Sequence, residues 1–152
     1  MNHEEDEIMM DTDTKKPSHE TVIYTCNGAF STTGLLAGLA AHEAVKQVGL
    51  KKAAVGCLAG LALELPVVRN KTDAAKRIVT VDGCPMECAK KTVEKAGYKV
   101  STAISLVRDL KIEKVSLDKD LAGTPKPVMD YISRDDFDRA TSAIVKAIMN
   151  KT

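Results

Sequence analysis

The sequence contains few of the residues that nucleic-acid-binding proteins use. Its 152 residues include no Trp, three Tyr and two Phe, and the formal net charge is only +1. Proteins that hold single-stranded nucleic acid stack its bases on aromatic side chains, and most also present a broad basic surface to the phosphates. The composition therefore predicts no nucleic-acid partner.

Long apolar runs are also missing. No stretch approaches the roughly 20 apolar residues that a transmembrane helix needs, so no membrane partner is expected. Residues 1–10 are acidic, whereas a signal peptide begins with basic residues and continues with apolar ones. The sequence thus predicts a cytoplasmic protein. In that reducing compartment the four cysteines are expected to be metal ligands, redox-active thiols or buried core residues rather than structural disulfides.

The composition changes near residue 20. Residues 1–20 carry seven acidic and two basic side chains, a net charge of −5, which leaves +6 for residues 21–152. A polar, charged segment of this kind buries too little apolar surface to order itself, so we expect a disordered acidic tail. Residues 21–152 are long enough and apolar enough to form a single α/β domain with its own core.

Short β-branched strands alternate with helical segments in the domain. Strands are predicted at 21–26, 53–57 and 77–81, with a fourth within 102–107. Helices are predicted at 32–48, at about 61–76 with a break at Pro66, at 86–96, and at about 133–149. This alternation predicts an α/β fold: a three-layer sandwich, Rossmann-like, with a small, mainly parallel sheet of about four strands and helices on both faces.

Three predicted strands lead into a cysteine. Cys26 and Cys57 end the first two, and Cys84 follows the third, with Cys88 one helical turn later. Because parallel strands that precede crossover helices end at the same rim of a sheet, we expect the four thiols to meet at that rim. Open α/β sheets bind their ligands there.

The segment from Asp82 to Cys88 joins a strand to a helix. Pro85 suits the first helical position, which predicts Cys84 at the N-cap and both sulfurs at the positive end of the helix dipole, where thiolate is favoured. Asp82 could cap this helix, support a metal ligand by hydrogen bonding, or act as a base.

The loop after the first strand has three further candidate residues. Asn27 and Gly28 turn the chain directly after Cys26, and Ser31 offers an N-cap side chain to the following helix. We expect these residues to support the site around that cysteine. The loop lacks the Gly-Lys-Ser/Thr of a phosphate-binding P-loop, which argues against nucleotide binding.

Four thiolates at one rim are compatible with several kinds of chemistry. Zn²⁺ accepts four sulfur ligands in a tetrahedral site, and an iron–sulfur cluster also takes four thiolates. The alternative is thiol redox or sulfur transfer, with Cys84 as the nucleophile and Cys88 or a neighbouring cysteine as the resolving thiol. Cysteines at buried strand ends can also be simple core residues.

These motifs together resemble the DGC-domain family of zinc-binding proteins, which is named for its Asp-Gly-Cys triplet. The matching residues are Cys26-x-Gly28 with Ser31 and Gly34, then Cys57 to Gly60, then Asp82-Gly83-Cys84, and then Cys88 to Lys91 with Glu94 to Gly97. The resemblance covers about residues 22–114, and Asn27 stands where the family has Ser. It implies that Cys26, Cys57, Cys84 and Cys88 form a zinc site.

We therefore expect a zinc-binding protein, with an iron–sulfur cluster as the alternative cofactor. A zinc ion ligated by four thiolates has no open position, which favours a structural or carrier site over a hydrolytic one. If one cysteine is not a ligand, the fourth position becomes available for catalysis. The sequence leaves open whether a homo-oligomer or a protein partner completes the assembly.

Overall fold

The computed structural model describes residues 19–118 and 123–150. In this part of the chain the strands are β1 (Thr21–Cys26), β2 (Ala53–Val55), β3 (Arg77–Asp82) and β4 (Thr102–Ser105). The α-helices are α1 (Thr32–Val48), α2 (Leu58–Ala62), α3 (Pro66–Ala74), α4 (Cys88–Lys95) and α5 (Arg134–Met149). A short 3₁₀ helix, Val128–Tyr131, precedes α5.

The four strands form one parallel sheet in the order β2-β1-β3-β4. Strands β1 and β3 are rich in Val, Ile and Thr, residues that suit a sheet buried on both faces. Their register places Ile23 beside Val79 and Cys26 beside Asp82. The last residue of β1 is therefore level with the last residue of β3.

Helices cover both faces of the sheet. On one face, α1 and α5 pack against each other and enclose a core that includes Ile23, Val81 and Ile144. On the other face, α2 and α4 pack over Val22 and Tyr24. The predicted three-layer α/β fold with a parallel four-stranded sheet is confirmed.

Helix α1 has the bounds that its sequence predicts. The Ser31 hydroxyl accepts a hydrogen bond from the Gly34 N–H at 3.2 Å and so caps the N-terminus, while Gly49 ends the helix with a φ of 88°. Four alanines of α1 are fully buried: Ala37, Ala40, Ala41 and Ala44. Their small size lets the helix approach the sheet and α5 closely.

Two predicted helices differ from the structure. The segment 61–76 forms two helices, because Glu64 adopts a left-handed conformation with a φ of 57° and Pro66 starts a new helix. The helix predicted at 86–96 begins only at Cys88, because Glu87 also adopts a left-handed conformation, which an α-helix does not accommodate. Strand β2 ends at Val55 rather than at Cys57.

His19 and Glu20, the first residues that the structure describes, lie against the sheet domain. His19 is buried, and the Glu20 backbone forms hydrogen bonds with Lys51 and Lys76, so both residues pack with the domain. The rest of the predicted acidic tail, residues 1–18, lies outside the described residues and stays a prediction.

The strand order creates a change of direction at the centre of the sheet. The chain leaves β1 through α1 on one face, whereas it leaves β3 through α4 on the opposite face. In open α/β sheets, the crevice between the carboxyl ends of two such strands is where ligands bind. None of the helices described has the length and apolar character that a membrane span needs.

Candidate metal centre

Cys26 ends β1 at the central crevice. Its Sγ accepts a hydrogen bond from the Gly28 N–H at 3.4 Å, across the turn that follows the strand. Burial raises the pKa of the Cys26 thiol, and the Gly28 hydrogen bond offsets part of that effect. Neighbouring acidic groups raise the pKa further: Cys88, Asp82 and Cys84. The side chain of Cys26 therefore lies within electrostatic reach of the segment after β3.

Cys57 follows β2, the strand on the other side of β1. It is the N-cap of α2, and its Sγ accepts a hydrogen bond from the Gly60 N–H at 3.3 Å. The residue is exposed. Cys57 and Cys26 are thus held in the same way, each by a backbone N–H of a glycine that follows it in its own turn.

Cys84 and Cys88 differ in their exposure. Cys84 is 6% exposed and lies in the turn between β3 and α4, whereas the exposed Cys88 is the first residue of α4. The prediction that Cys84 caps the helix is wrong, because the left-handed Glu87 occupies the N-cap position. Cys88 therefore has the position at the helix N-terminus that was predicted for Cys84.

Asp82 provides the cap that Glu87 lacks. Its carboxylate is buried and accepts hydrogen bonds from the N–H groups of Ala89 at 2.7 Å and Lys90 at 3.2 Å. Burial raises the pKa of this carboxyl, and the two hydrogen bonds oppose that rise. Of the roles expected for Asp82, these bonds are those of a helix cap, and they fix the start of α4, and with it Cys88, to the end of β3.

The loop after β1 and the turn after β3, each of which adjoins a cysteine, touch through glycines. A Cβ on Gly83 would lie 2.5 Å from the Thr33 carbonyl oxygen and 2.7 Å from the Gly34 Cα. A Cβ on Gly34 would in turn lie 2.2 Å from the Asn27 carbonyl oxygen and 2.3 Å from that of Gly28. Only glycines allow this approach, which brings the loop after β1 against the Asp-Gly-Cys turn.

The predicted supporting residues shape the turn after Cys26. The Ser31 hydroxyl donates a hydrogen bond to the Gly28 carbonyl at 2.9 Å while it caps α1. The Asn27 side-chain oxygen accepts a hydrogen bond from the Thr25 hydroxyl at 3.4 Å. Of these three predicted residues, Gly28 is the one whose backbone donates to the cysteine sulfur.

The four cysteines are the right residue types for a thiophilic metal, but their side chains are not grouped as metal ligands in the described residues. Four cysteines follow three neighbouring strand ends, and such a set suits Zn²⁺ or an iron–sulfur cluster. Within residues 19–118 and 123–150, however, no group of three or more His, Cys, Asp or Glu side chains is arranged to hold a metal ion. Ligation by these cysteines would thus require their side chains to rearrange.

One charged group beside the site, the Arg108 guanidinium, was not predicted from the sequence. Arg108, in the turn after β4, forms an ion pair with Glu87, and Lys90 lies 3.8 Å from the same carboxylate oxygen. Arg108 also affects the carboxyl of Asp82, whose pKa it lowers slightly against the effect of burial. No local pattern indicated Arg108, because only the pairing of β3 with β4 brings it to this rim.

Comparisons with known proteins agree with the sequence motifs. A family model described as the DGC domain matches residues 22–126, which confirms the resemblance. A Pseudomonas aeruginosa PAO1 protein, "Anaerobic and virulence modulator AnvM", is 28% identical over 69 residues, which cover 45% of this chain and 50% of that protein. The chain thus spans about half the length of this curated relative. No solved structure gives a significant match.

Proposed function

This chain belongs to the DGC-domain family, and on that basis we propose that it binds Zn²⁺ through four cysteine thiolates at one rim of its sheet. The proposed ligands are Cys26, Cys57, Cys84 and Cys88. Family membership indicates a metal-binding protein in general, while the zinc ion and the four-cysteine ligand set are our proposal.

The position of the cysteines relative to the sheet carries the proposal. The neighbouring strands β2, β1 and β3 are each followed or ended by a cysteine at the same rim, and the fourth cysteine starts the helix after β3. Cys26 and Cys84 flank the central crevice, where sheets of this topology bind ligands. All four cysteines of the chain are thus near one edge.

Backbone hydrogen bonds to sulfur give further support. Cys26 and Cys57 each accept an N–H from a glycine two or three residues later. Such bonds stabilise negative charge on sulfur, and hydrogen bonding to ligand sulfurs is one of the ways in which proteins tune metal–thiolate sites. The same turns would therefore help to hold the thiolate form that a metal requires.

Four thiolates would fill the coordination sphere of zinc. Such a site has no position for water or substrate, so it serves folding, partner binding or metal carriage rather than hydrolysis. Binding would also link the loops that follow β2, β1 and β3 through one metal ion. Chelation is then expected to lower the thermal unfolding midpoint of the metal-loaded protein.

Metal analysis of protein purified without chelators tests the proposal. We expect close to one zinc per chain in the wild type, and loss of the metal in Cys84→Ser and Cys88→Ser. Met86→Ser is a matched control, because Met86 is exposed in the loop between these two cysteines and should leave the metal content unchanged. A wild-type protein with neither zinc nor iron would contradict metal binding, and a brown protein that contains iron would replace zinc with an iron–sulfur cluster.

One observation favours a second candidate function, thiol–disulfide chemistry. Cys88 is exposed at the N-terminus of α4, and Cys84 is buried in the turn before it. These positions suit Cys88 as the nucleophile and Cys84 as the resolving thiol, the reverse of the roles predicted from the sequence. The proposed substrate is a small disulfide such as oxidised glutathione.

The reaction has two exchange steps. The Cys88 thiolate attacks one sulfur of the small disulfide, releases one thiolate and forms a mixed disulfide. The Cys84 thiolate then attacks the Cys88 sulfur, releases the second thiolate and leaves a disulfide between the two cysteines. The two protons lost by the cysteines are taken up by the two released thiolates.

Alkylation with mass spectrometry distinguishes this candidate from zinc binding. In metal-free protein Cys88 should react quickly and Cys84 slowly, and treatment with oxidised glutathione should protect both. If both cysteines remain alkylatable after oxidation, the disulfide chemistry is refuted. If zinc protects all four cysteines and oxidised glutathione protects none, the metal proposal is favoured instead.

A further inference from the structure

Glu87, in the segment between Cys84 and Cys88, has an unfavourable backbone conformation. Its φ and ψ are 53° and 46°, in the left-handed region, which is uncommon for residues other than glycine because of the Cβ. Its side chain makes no capping hydrogen bond to α4. Neither helix capping nor local conformational preference therefore accounts for a glutamate at this position.

The carboxylate of Glu87 is held by charged neighbours. It forms an ion pair with Arg108, and Lys90 Nζ lies 3.8 Å from its Oε1. The Glu87 side chain is only 19% exposed. Partial burial of the carboxylate makes these pairs less screened by solvent than the more exposed Arg134–Asp138 pair on α5.

Arg108 is itself anchored to the sheet. The backbone N–H of Arg108 donates to the Ser105 hydroxyl at 3.3 Å, and Ser105 is the last residue of β4. The Ser105 N–H donates to the Asp109 carboxylate at 2.7 Å, which closes this turn. The ion pair therefore connects the segment between Cys84 and Cys88 to a second fixed point, the end of β4.

We infer that Glu87 and Arg108 are positioning residues for the cysteine pair. Their ion pair holds the left-handed turn, keeps Cys84 buried behind it, and sets Cys88 as the first residue of α4. In the proposed zinc site, on which the metal part of this inference rests, the same contact fixes the relative position of two ligands. Neither residue is proposed to touch the metal.

The exposure of Cys84 provides a test that does not depend on metal. In metal-free protein, Cys84 reacts with iodoacetamide only when the turn opens, whereas exposed Cys57 on the neighbouring loop reacts without opening and is an internal reference. Glu87→Gln and Arg108→Gln should raise the ratio of the Cys84 rate to the Cys57 rate about twofold to fivefold, as expected for loss of one partly screened ion pair.

Two further variants separate positioning from general destabilisation. Arg108→Lys keeps the positive charge and should return the ratio most of the way to the wild-type value. Arg134→Gln removes an arginine from a distant exposed pair with Asp138 on α5 and should leave the ratio unchanged. A wild-type ratio in both Glu87→Gln and Arg108→Gln, or an equal rise in Arg134→Gln, overturns the inference.

Cobalt provides the second measurement. Co²⁺ replaces Zn²⁺ in thiolate sites and gives visible absorption that reports on ligand geometry. We expect Glu87→Gln and Arg108→Gln to shift this spectrum and weaken Co²⁺ binding about twofold to fivefold, while Arg134→Gln matches the wild type. A wild type that binds no Co²⁺ refutes the proposed function, and the alkylation ratios still decide the positioning role. If wild type and both variants bind Co²⁺ identically, the inference fails for the metal site.

Discussion

Replacement of Gly83 by alanine should destabilise the protein through one steric overlap. The new Cβ would lie 2.5 Å from the Thr33 carbonyl oxygen and 2.7 Å from the Gly34 Cα. Real Cβ atoms do not approach neighbours this closely, and both contacts are with backbone, which has no alternative rotamer. Gly83 is not among the glycines with positive φ, so alanine does not meet the penalty of a left-handed conformation and the effect is assigned to the overlap.

The size of the effect follows from how the overlap is relieved. The Asp-Gly-Cys turn must move away from the first turn of α1 by several tenths of an ångström or more. Overpacking of this kind costs about 1 to 3 kcal/mol. For a protein of this size that corresponds to a decrease of about 2 to 12 °C in the unfolding midpoint. The turn should also open more often, so alkylation of the buried Cys84 should accelerate.

Denaturant and thermal unfolding, followed by circular dichroism, measure this cost. The matched control is Gly38→Ala on α1, where the new Cβ would meet the Asn27 side-chain oxygen at 2.8 Å. That amide is exposed and can turn away, and alanine favours the helix, so the control should be neutral or stabilised by up to about 1 kcal/mol. A Gly83→Ala cost below about 0.5 kcal/mol would refute the assigned contact between the two loops.

Two other changes test the neighbouring contacts. Asp82→Asn should lower the free energy of unfolding by about 2 to 3 kcal/mol in chemical denaturation, because it replaces a buried carboxylate that accepts two helix N–H groups. The control Ser133→Ala removes one exposed N-cap bond and should cost only about 1 kcal/mol. Equal costs for the two variants would contradict the buried cap. Tyrosinate absorbance should show Tyr98 titrating at about 12, because burial and the hydrogen bond to Asp73 raise its pKa from 10.0. The stabilisation of the fold by the neutral Tyr98 phenol is complete below pH 10 and is lost as the pH rises through 12. Asp73→Asn should lower the pKa of Tyr98, and an unchanged Tyr98 titration would refute the role of the Asp73 hydrogen bond.

Local sequence patterns were sufficient for most of the secondary structure. Strand β1, helix α1 and helix α5 match their predicted ranges closely, because apolar runs, N-cap serines and terminating residues act over a few neighbouring positions. The misplaced start of α4 has a non-local cause. Pro85 gave a good local signal for a first helical residue, but Glu87, which pairs with Lys90 and with Arg108 from the turn after β4, adopts the left-handed conformation.

The sequence alone determined that this is a parallel α/β protein with cysteines at its strand ends, since strand–helix alternation and right-handed crossovers leave few other arrangements. Tertiary structure decided which of those ends are neighbours. The order β2-β1-β3-β4 places Cys26 beside Asp82 at the change of direction, and the contact of Gly34 with Gly83 brings the two loops together. Contacts between residues about 50 positions apart depend on the packing of whole elements, which no local pattern encodes.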